Sequence, residues 1–286
     1  MQLSIVIPAK NEAAALAGLL PAIRRLYPDA ELIVVDDGSD DETAAIAGQY
    51  ASIVVRHLHS MGNGAAIKSG ARRATGEVLV TMDADGQHRP EDIAPLLQPV
   101  LEGRSDMMVG ARNQAGHAGM HRFAANTLYN WLASWMANYP IADLTSGMRA
   151  ARRELFMRFL YLFPNGFSYP TTVTMAFLRS GFRVGYHPIP VQQRIGKSHI
   201  RLFRDGVRFL LIIFKIGSLY SPLKLFLPIS LFVFTVASGY YGYTYVTDGR
   251  FTNMSALLYT TSLLIFLMGL ISEQITQLFY KDADRR

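Results

Sequence analysis

Two stretches near the end of the chain, residues 225–247 (LFLPISLFVFTVASGYYGYTYVT) and 251–272 (FTNMSALLYTTSLLIFLMGLIS), contain no charged residue. Each meets the roughly 20-residue length that a helix needs to cross a hydrocarbon core. Only Asp248, Gly249 and Arg250 separate them, so the pair predicts a transmembrane hairpin whose two ends face the same side. Tyr240, Tyr241, Tyr243 and Tyr245 crowd the end of the first run and Tyr259 lies early in the second, as interfacial aromatic belts do. A helical hairpin buried in a soluble core is the alternative; two adjacent runs of full spanning length favour the membrane.

The hairpin accounts for an unusual composition. Of 286 residues 50% are hydrophobic and 17% charged, with a mean hydropathy of +0.16, against about 25% charge in ordinary soluble domains. The apolar fraction rules out a disordered chain, and this length can bury one large core or two small ones. Cysteine is missing from the sequence, which excludes disulfides, thiol catalysis and thiolate metal sites. Lys197, Arg201, Arg204, Arg208, Lys215 and Lys224 precede the first apolar run, and Lys281, Arg285 and Arg286 follow the second. By the positive-inside tendency both flanks face the cytoplasm. The opening MQLSIVIPAKNEAAA has no basic segment followed by a long apolar one, so no signal peptide is expected. Residues 200–220 mix basic positions with Leu, Phe and Ile, which fits an interfacial amphipathic helix on anionic headgroups or a packed surface helix.

The first two hundred residues alternate between short apolar runs (3–7, 32–35, 53–55, 78–82, 107–109) and helix-like stretches (12–26, 41–50, 64–74). This predicts an α/β domain with a mostly parallel, Rossmann-like sheet covered by helices. Ligands of such sheets bind beyond the carboxyl ends of the strands, and the residues there are polar. Pro8-Ala9-Lys10-Asn11-Glu12 follow the first run and Asp36-Asp37-Gly38-Ser39-Asp40 the second, where Ser39 or Asp40 can cap a helix beginning near residue 41. Asp83-Ala84-Asp85-Gly86-Gln87-His88 follow the fourth. Two carboxylates two residues apart at a strand end can converge on one divalent cation. Oxygen donors without thiolate suit Mg²⁺ or Mn²⁺, with phosphate and water completing the shell. His88 adjoins this motif as a supporting group, whereas His57, His59, His117 and His121 show no ligand spacing. The glycine-rich GNGAAIKSG, residues 62–70, fits neither the dinucleotide fingerprint nor a Walker sequence. Gly62 and Gly64 can allow close backbone approach at a donor site with Lys68 as charge partner, or the stretch is an ordinary loop and helix start.

VIPAKNE, VVDDGSDDET, GNGAAIKSG and MDADGQH stand in the order and at about the spacing of family 2 glycosyltransferases with a GT-A fold. The chain resembles the branch of dolichol-phosphate mannosyltransferase and bacterial polyprenyl-phosphate glycosyltransferases over residues 2–198. Its hairpin resembles the two-helix anchor of the bacterial relatives. The resemblance implies a GT-A domain over 1–198, an amphipathic juxtamembrane helix over 199–222, the transmembrane hairpin over 223–280 and a cytoplasmic tail over 281–286. It implies that Pro8, Lys10, Asn11 and Glu12 line the nucleoside, although an aromatic residue is common in the family where this chain has Lys10. It further implies that Val35 and Asp37 contact base or ribose, and that Asp83, Ala84, Asp85 and Gln87 form the metal and diphosphate motif, with Asp85 and Gln87 the favoured direct ligands. Asp85, Asp143 and Arg194 are the expected catalytic residues, with Arg194 in a donor-side R-x-G-K-S loop.

The acceptor can be argued from chemistry. A hydroxyl needs a general base to become a nucleophile, whereas a lipid monophosphate, with a second pKa of about 6, is largely dianionic at neutral pH. It needs cationic clamps instead, and Arg112, Arg122, Arg194 and Lys197 are candidates. Asp143, in DLTSGMRA, matches a recurring acidic position of the family; it can act as a base, orient the acceptor, or cap a local turn. Where many members carry a further acidic residue, this chain has Tyr169, Pro170, Thr171 and Thr172, which argues against a hydroxyl acceptor. The expected function is metal-dependent transfer of a sugar from a nucleoside diphosphate sugar to undecaprenyl or dolichyl phosphate, by an integral inner (plasma) membrane protein on the cytoplasmic face. Transfer to a lipid hydroxyl such as diacylglycerol, or a non-catalytic nucleotide-binding membrane scaffold, are the alternatives. A processive polysaccharide synthase is disfavoured by the missing Q-x-x-R-W and the single hairpin. Nucleic acid is not an expected partner, because the basic excess of the +6 balance gathers near the membrane and the phosphate candidates. Hairpin anchors often associate, so a homo-oligomer is a candidate state.

Overall fold

The computed structural model describes residues 2–112, 120–166, 168–190, 214, 217–218 and 220–281, without the side chains of 120–126 and 279–281. The chain divides into two units, Met1–Ile200 and Arg201–Arg286.

In the first unit the elements are β1 (Leu3–Ala9), α1 (Ala13–Leu26), β2 (Glu31–Asp36), α2 (Thr43–Tyr50), β3 (Ile53–Arg56), α3 (Asn63–Arg73), β4 (Val78–Thr81) and α4 (Ile93–Leu101). They continue with β5 (Met107–Arg112), α5 (Met120–Ala137), β6 (Arg149–Arg152), α6 (Arg153–Arg158), α7 (Tyr169–Arg179) and β7 (Val184–Ile189). The strands form one seven-stranded sheet in the order β3-β2-β1-β4-β6-β5-β7. Its central strands are the continuous apolar runs of the sequence: Ile5, Val6, Ile7, Leu32, Ile33, Val34, Val35 and Val80 are fully buried, because helices cover both faces. The crossovers α1, α2 and α3 make β1 parallel to β2 and β4, and β2 parallel to β3.

Two strands escape the sequence pattern. β6 (RAAR) has no β-branched or aromatic residue, and its neighbours impose its strand state: it runs antiparallel between β4 and β5. β7 (VGYHPI) contains a glycine and a proline, which an edge strand tolerates. The expected cap of α2 also differs. The helix starts at Thr43, whose N–H donates to Asp41 Oδ1 at 3.0 Å. Ser39 Oγ instead accepts the Asn11 N–H at 2.9 Å, and Asn11 Oδ1 accepts the Asp40 N–H at 2.9 Å. Ser39 and Asp40 thus tie the ends of β1 and β2 together.

Asp37, directly after β2, holds the connection from β3 to α3. Its Oδ1 accepts from His57 Nδ1 at 2.7 Å and the Met61 N–H at 2.8 Å, and its Oδ2 from Ser60 Oγ and the Gly62 N–H at 2.8 Å each. Burial alone would raise this carboxyl, but the four donors outweigh it and hold it at about 2. An ionised carboxylate only accepts, so His57 carries its hydrogen on Nδ1, leaving Nε2 to meet Ser69 Oγ at 2.9 Å.

The second unit is a hairpin of α8 (Pro222–Asp248) and α9 (Asn253–Lys281), both long and apolar enough to cross a membrane. Its burial is inverted relative to a soluble fold. Ser230, Ala237, Thr244, Ser255 and Ser262 are buried, while Leu231, Phe232, Leu263, Leu264 and Ile271 face outward. Small residues allow close helix approach in lipid, and hydroxyls bond across the seam: Ser230 Oγ donates to the Ser262 carbonyl and Ser262 Oγ to the Ser230 carbonyl, each at 2.9 Å. Glu273 Oε2 accepts the Leu223 N–H at 3.3 Å, satisfying a first-turn donor of α8.

The Asp37 clamp sets an acid dependence. Its folded pKa of about 2 lies below the unfolded value of about 3.9, so its stabilisation is present above the unfolded value and is lost as pH falls from about 5 towards 2. Asp37→Asn is expected to lower stability at neutral pH and to flatten the acid limb of a melting-temperature profile. A variant whose stability falls with acid as steeply as the parent's would contradict this.

Candidate active site

The ends of β1, β2, β4 and β5 open on one edge of the sheet, and β6 brings a further segment to that edge. Arg149, its first residue, pairs with Thr81 of β4 and Val109 of β5, so residues 143–148 enter beside Asp83 and Arg112. Thr81 Oγ1 donates to the Gly147 carbonyl at 2.9 Å. A Cβ on Gly147 would lie 2.0 Å from Asp83 Oδ2, so only glycine leaves room for that carboxylate.

Asp83 is partly exposed, its side chain 32% accessible, with His88 Nε2 at 3.7 Å from Oδ2. Burial raises its pKa, but His88, the Asn63 side chain and the Arg112 charge outweigh this and hold it ionised. Asp85 is also partly buried and its Oδ1 accepts the Gln87 N–H at 3.2 Å. Among the described residues no three His, Cys, Asp or Glu form a closed metal cage. The oxygen-only side chains of Asp83 and Asp85 fit a hard cation that completes its shell with substrate and water. Among the described residues Asn63 Oδ1 and His88 Nδ1, flanking Asp83, are buried with no hydrogen-bond partner.

Asp143 is spent inside the protein. Its Oδ2 takes Arg112 Nε at 2.7 Å and its Oδ1 takes Arg112 Nη2 at 3.0 Å. The N–H groups of Arg112, Thr145 and Ser146 add bonds of 3.1–3.2 Å. Burial by itself would raise this carboxyl; the Arg112 bonds and charge outweigh it and lower its pKa. Burial likewise opposes the charge on Arg112, but Asp143 first, then Asp83 and Asp85, raise its pKa. Arg112, its side chain 27% exposed, therefore links Asp143 to the Asp83–Asp85 pair.

Beneath them lies Arg149, 1% exposed. It donates from Nε to the Ser146 carbonyl at 2.9 Å, from Nη2 to the Leu144 carbonyl at 3.0 Å and from Nη1 to Thr174 Oγ1 at 2.5 Å. Burial lowers its pKa, partly offset by Tyr169, Tyr186, Asp143 and Asp83.

Pro8 is buried, Lys10 and Asn11 are exposed and Glu12 is intermediate, and Asn11 has a φ of +54°. Val35 is wholly buried and Ala84 nearly so, so each can offer a ligand only backbone. Asp37 has both oxygens occupied by protein donors. The glycine-rich stretch meets the chain itself: the N–H groups of Gly64 and Ala65 donate to the carbonyls of Gly166 and Asn165, and Lys68 Nζ to the Phe163 carbonyl and Asn165 Oδ1. A Cβ on Gly64 would lie 2.0 Å from the Pro164 carbonyl oxygen, so the close approach made there is to residues 164–166. Arg122 falls in α5 with its side chain outside the described residues, and Arg194 and Lys197 lie outside them altogether.

Gly147, Asn63 and Arg149 were not anticipated from sequence. Gly147 and Arg149 owe their place to β6 wedging between β4 and β5, for which Arg-Ala-Ala-Arg carries no signal, and Asn63 meets Asp83 from the start of α3.

Known proteins share this architecture. The crystal structure of glucosyl-3-phosphoglycerate synthase from Mycobacterium tuberculosis, in complex with Mn²⁺, UDP and glucosyl-3-phosphoglycerate, superposes with a TM-score of 0.60 at 22% identity, over 76% of this chain and 79% of that one. This shows a common GT-A fold. The polyprenol monophosphomannose synthase of Mycolicibacterium smegmatis is 31% identical over 205 residues, 66% of this chain and 77% of that protein. The undecaprenyl-phosphate 4-deoxy-4-formamido-L-arabinose transferase of an Enterobacter species is 27% identical over 299 residues, 97% of this chain and 89% of that protein. The GtrB C-terminal hairpin model matches residues 221–278, and the glycosyl transferase family 2 model matches residues 4–160, more than half of the chain. The chain therefore belongs to glycosyl transferase family 2 and is a glycosyltransferase with a membrane hairpin.

Proposed function

We propose that the protein transfers a sugar from a nucleoside diphosphate sugar to a polyprenyl phosphate at the cytoplasmic face of the membrane that holds its hairpin. The observation that carries this reading is the state of Asp143. A carboxylate that already accepts six hydrogen bonds, two of them from a guanidinium fork, with a lowered pKa, is a poor acceptor for an alcohol proton. A phosphate dianion brings its own nucleophilic oxygen. It attacks the anomeric carbon, the bond from that carbon to the donor diphosphate breaks, and the nucleoside diphosphate departs without a proton being moved. The relatives named for undecaprenyl phosphate and polyprenol support the acceptor class.

Asp83 and Asp85, with Gln87 beside them, would hold Mg²⁺ or Mn²⁺ on the donor diphosphate; bound there, the cation supplies the positive charge that makes the diphosphate a good leaving group. Asp83 is kept ionised and fixed by His88, Asn63 and the space left by Gly147. Arg112, oriented by Asp143, presents its exposed edge to phosphate oxygens, and Arg122, Arg194 and Lys197 are proposed as further phosphate contacts. The nucleoside is proposed to lie along residues 8–12, with Lys10 exposed towards it.

The test is the full chain in detergent or nanodiscs with Mn²⁺ or Mg²⁺, a panel of nucleotide sugars and undecaprenyl phosphate. One donor should give a lipid-linked sugar phosphate, EDTA should stop the reaction, and Asp85→Ala should abolish it. Product formed on diacylglycerol instead, or turnover indifferent to EDTA, would refute the proposal. Gly147→Ala forces the Asp83 carboxylate aside and is expected to lower turnover about 10²-fold, the scale on which roughly ångström misplacements act. Its melting temperature should stay near the parent's; full activity in this variant would remove Asp83 from the mechanism.

A further inference from the structure

We infer that the outer face of α5, formed by Leu128, Trp131 and Trp135, lies in the headgroup region of a lipid bilayer and gives the catalytic unit a membrane contact of its own. α5 has two apolar faces. Tyr129, Ala133 and Met136 are buried, and the Tyr129 hydroxyl meets Thr171 Oγ1 of α7 at 2.9 Å. Facing away from them are Leu128, Trp131 and Trp135, spaced as one helical stripe and 54%, 62% and 41% exposed. The chain has two tryptophans, so both are on this stripe. Large apolar side chains gathered on one exposed face mark an interaction surface.

Three observations select lipid as the occupant. Indole is enriched where apolar and wet environments meet, and the stripe is bordered by the exposed Thr127 and Asn138, uncharged polar residues suited to a headgroup region. Between Arg112 and Asp143 there is no acidic residue, while Arg122 lies within the stretch; nothing there repels an anionic lipid surface. The same chain carries a membrane hairpin, which holds a bilayer at high effective concentration, so a modest patch suffices for docking.

The contact would have a catalytic consequence. Asn130, beside Trp131, donates from Nδ2 to the Ala142 carbonyl at 2.9 Å and accepts the Leu144 N–H on Oδ1 at 3.1 Å. It thus grips the chain on both sides of Asp143. An α5 seated among headgroups carries the Asp143–Arg112 pair towards the depth at which a lipid phosphate resides.

The test uses the full chain reconstituted in vesicles of phosphatidylethanolamine and phosphatidylglycerol, with and without bromine on the acyl carbons nearest the headgroup. Tryptophan emission reports this stripe alone. The inference predicts that brominated lipid at least halves the emission and that aqueous iodide quenches it little. Trp131→Phe and Trp135→Phe should each leave a residual signal that bromine still quenches. Emission quenched by iodide and not by bromine would show a face in water, and emission quenched by neither would show a face covered by protein; either result overturns the inference. No sugar donor or acceptor enters the measurement, so its failure is separate from failure of the proposed transfer reaction.

Discussion

The site is organised around a buried guanidinium. Removing a cation from water is costly unless its hydrogen-bonding groups are satisfied, and Arg149 meets that condition with the carbonyls of Leu144 and Ser146 and the hydroxyl of Thr174. Those bonds leave the segment before β6 one path to follow. On that path Gly147 lies against Asp83 and Asp143 closes its fork with Arg112. The buried positive charge also offsets the two carboxylates above it, which would otherwise repel each other in a medium of low dielectric constant. Position and charge state at the strand ends thus share one physical origin.

That arrangement bears on the chemistry. Asp143 is buried and accepts from Arg112, Thr145 and Ser146, while the Arg112 charge also acts on Asp83 and Asp85. In the proposed reading such a site takes substrates that arrive already charged: a diphosphate on the side of Asp83 and Asp85 and a monophosphate nucleophile on the side of Arg112. A membrane hairpin suits the second of these, since a polyprenyl phosphate keeps its tail in the bilayer and its headgroup at the surface.

Much of this was legible in the sequence where signals are local. The apolar runs of β1, β2, β4 and β5 are strands because both faces of the sheet are covered there, β3 is a partly exposed edge, and the uncharged runs form the hairpin because length and composition suffice for a span. The acidic pair after β4 could be read from strand-end chemistry. What stayed hidden depends on contacts distant in sequence. β6 is a strand only because β4 and β5 flank it, so the place of Gly147 against Asp83 had no local sign. Asp37 is polar, at a strand end and in a ligand-like motif, yet it binds four donors from residues 57–62. Gly62 and Gly64 do permit close approach, but to residues 164–166. A motif shows that a backbone must come close to something, and the partner is decided by tertiary packing.

In the proposed reaction the acceptor supplies its own charged nucleophile, and Asp143 positions Arg112 without accepting a proton. The most direct measurement is the pH dependence of kcat/KM for undecaprenyl phosphate in the parent and in Asp143→Asn. Both are expected to rise through one ionisation near pH 6, about the second pKa of a phosphate monoester, with the variant slower at every pH. An inflection present in the parent and lost in Asp143→Asn would assign the ionisation to the protein and contradict the account.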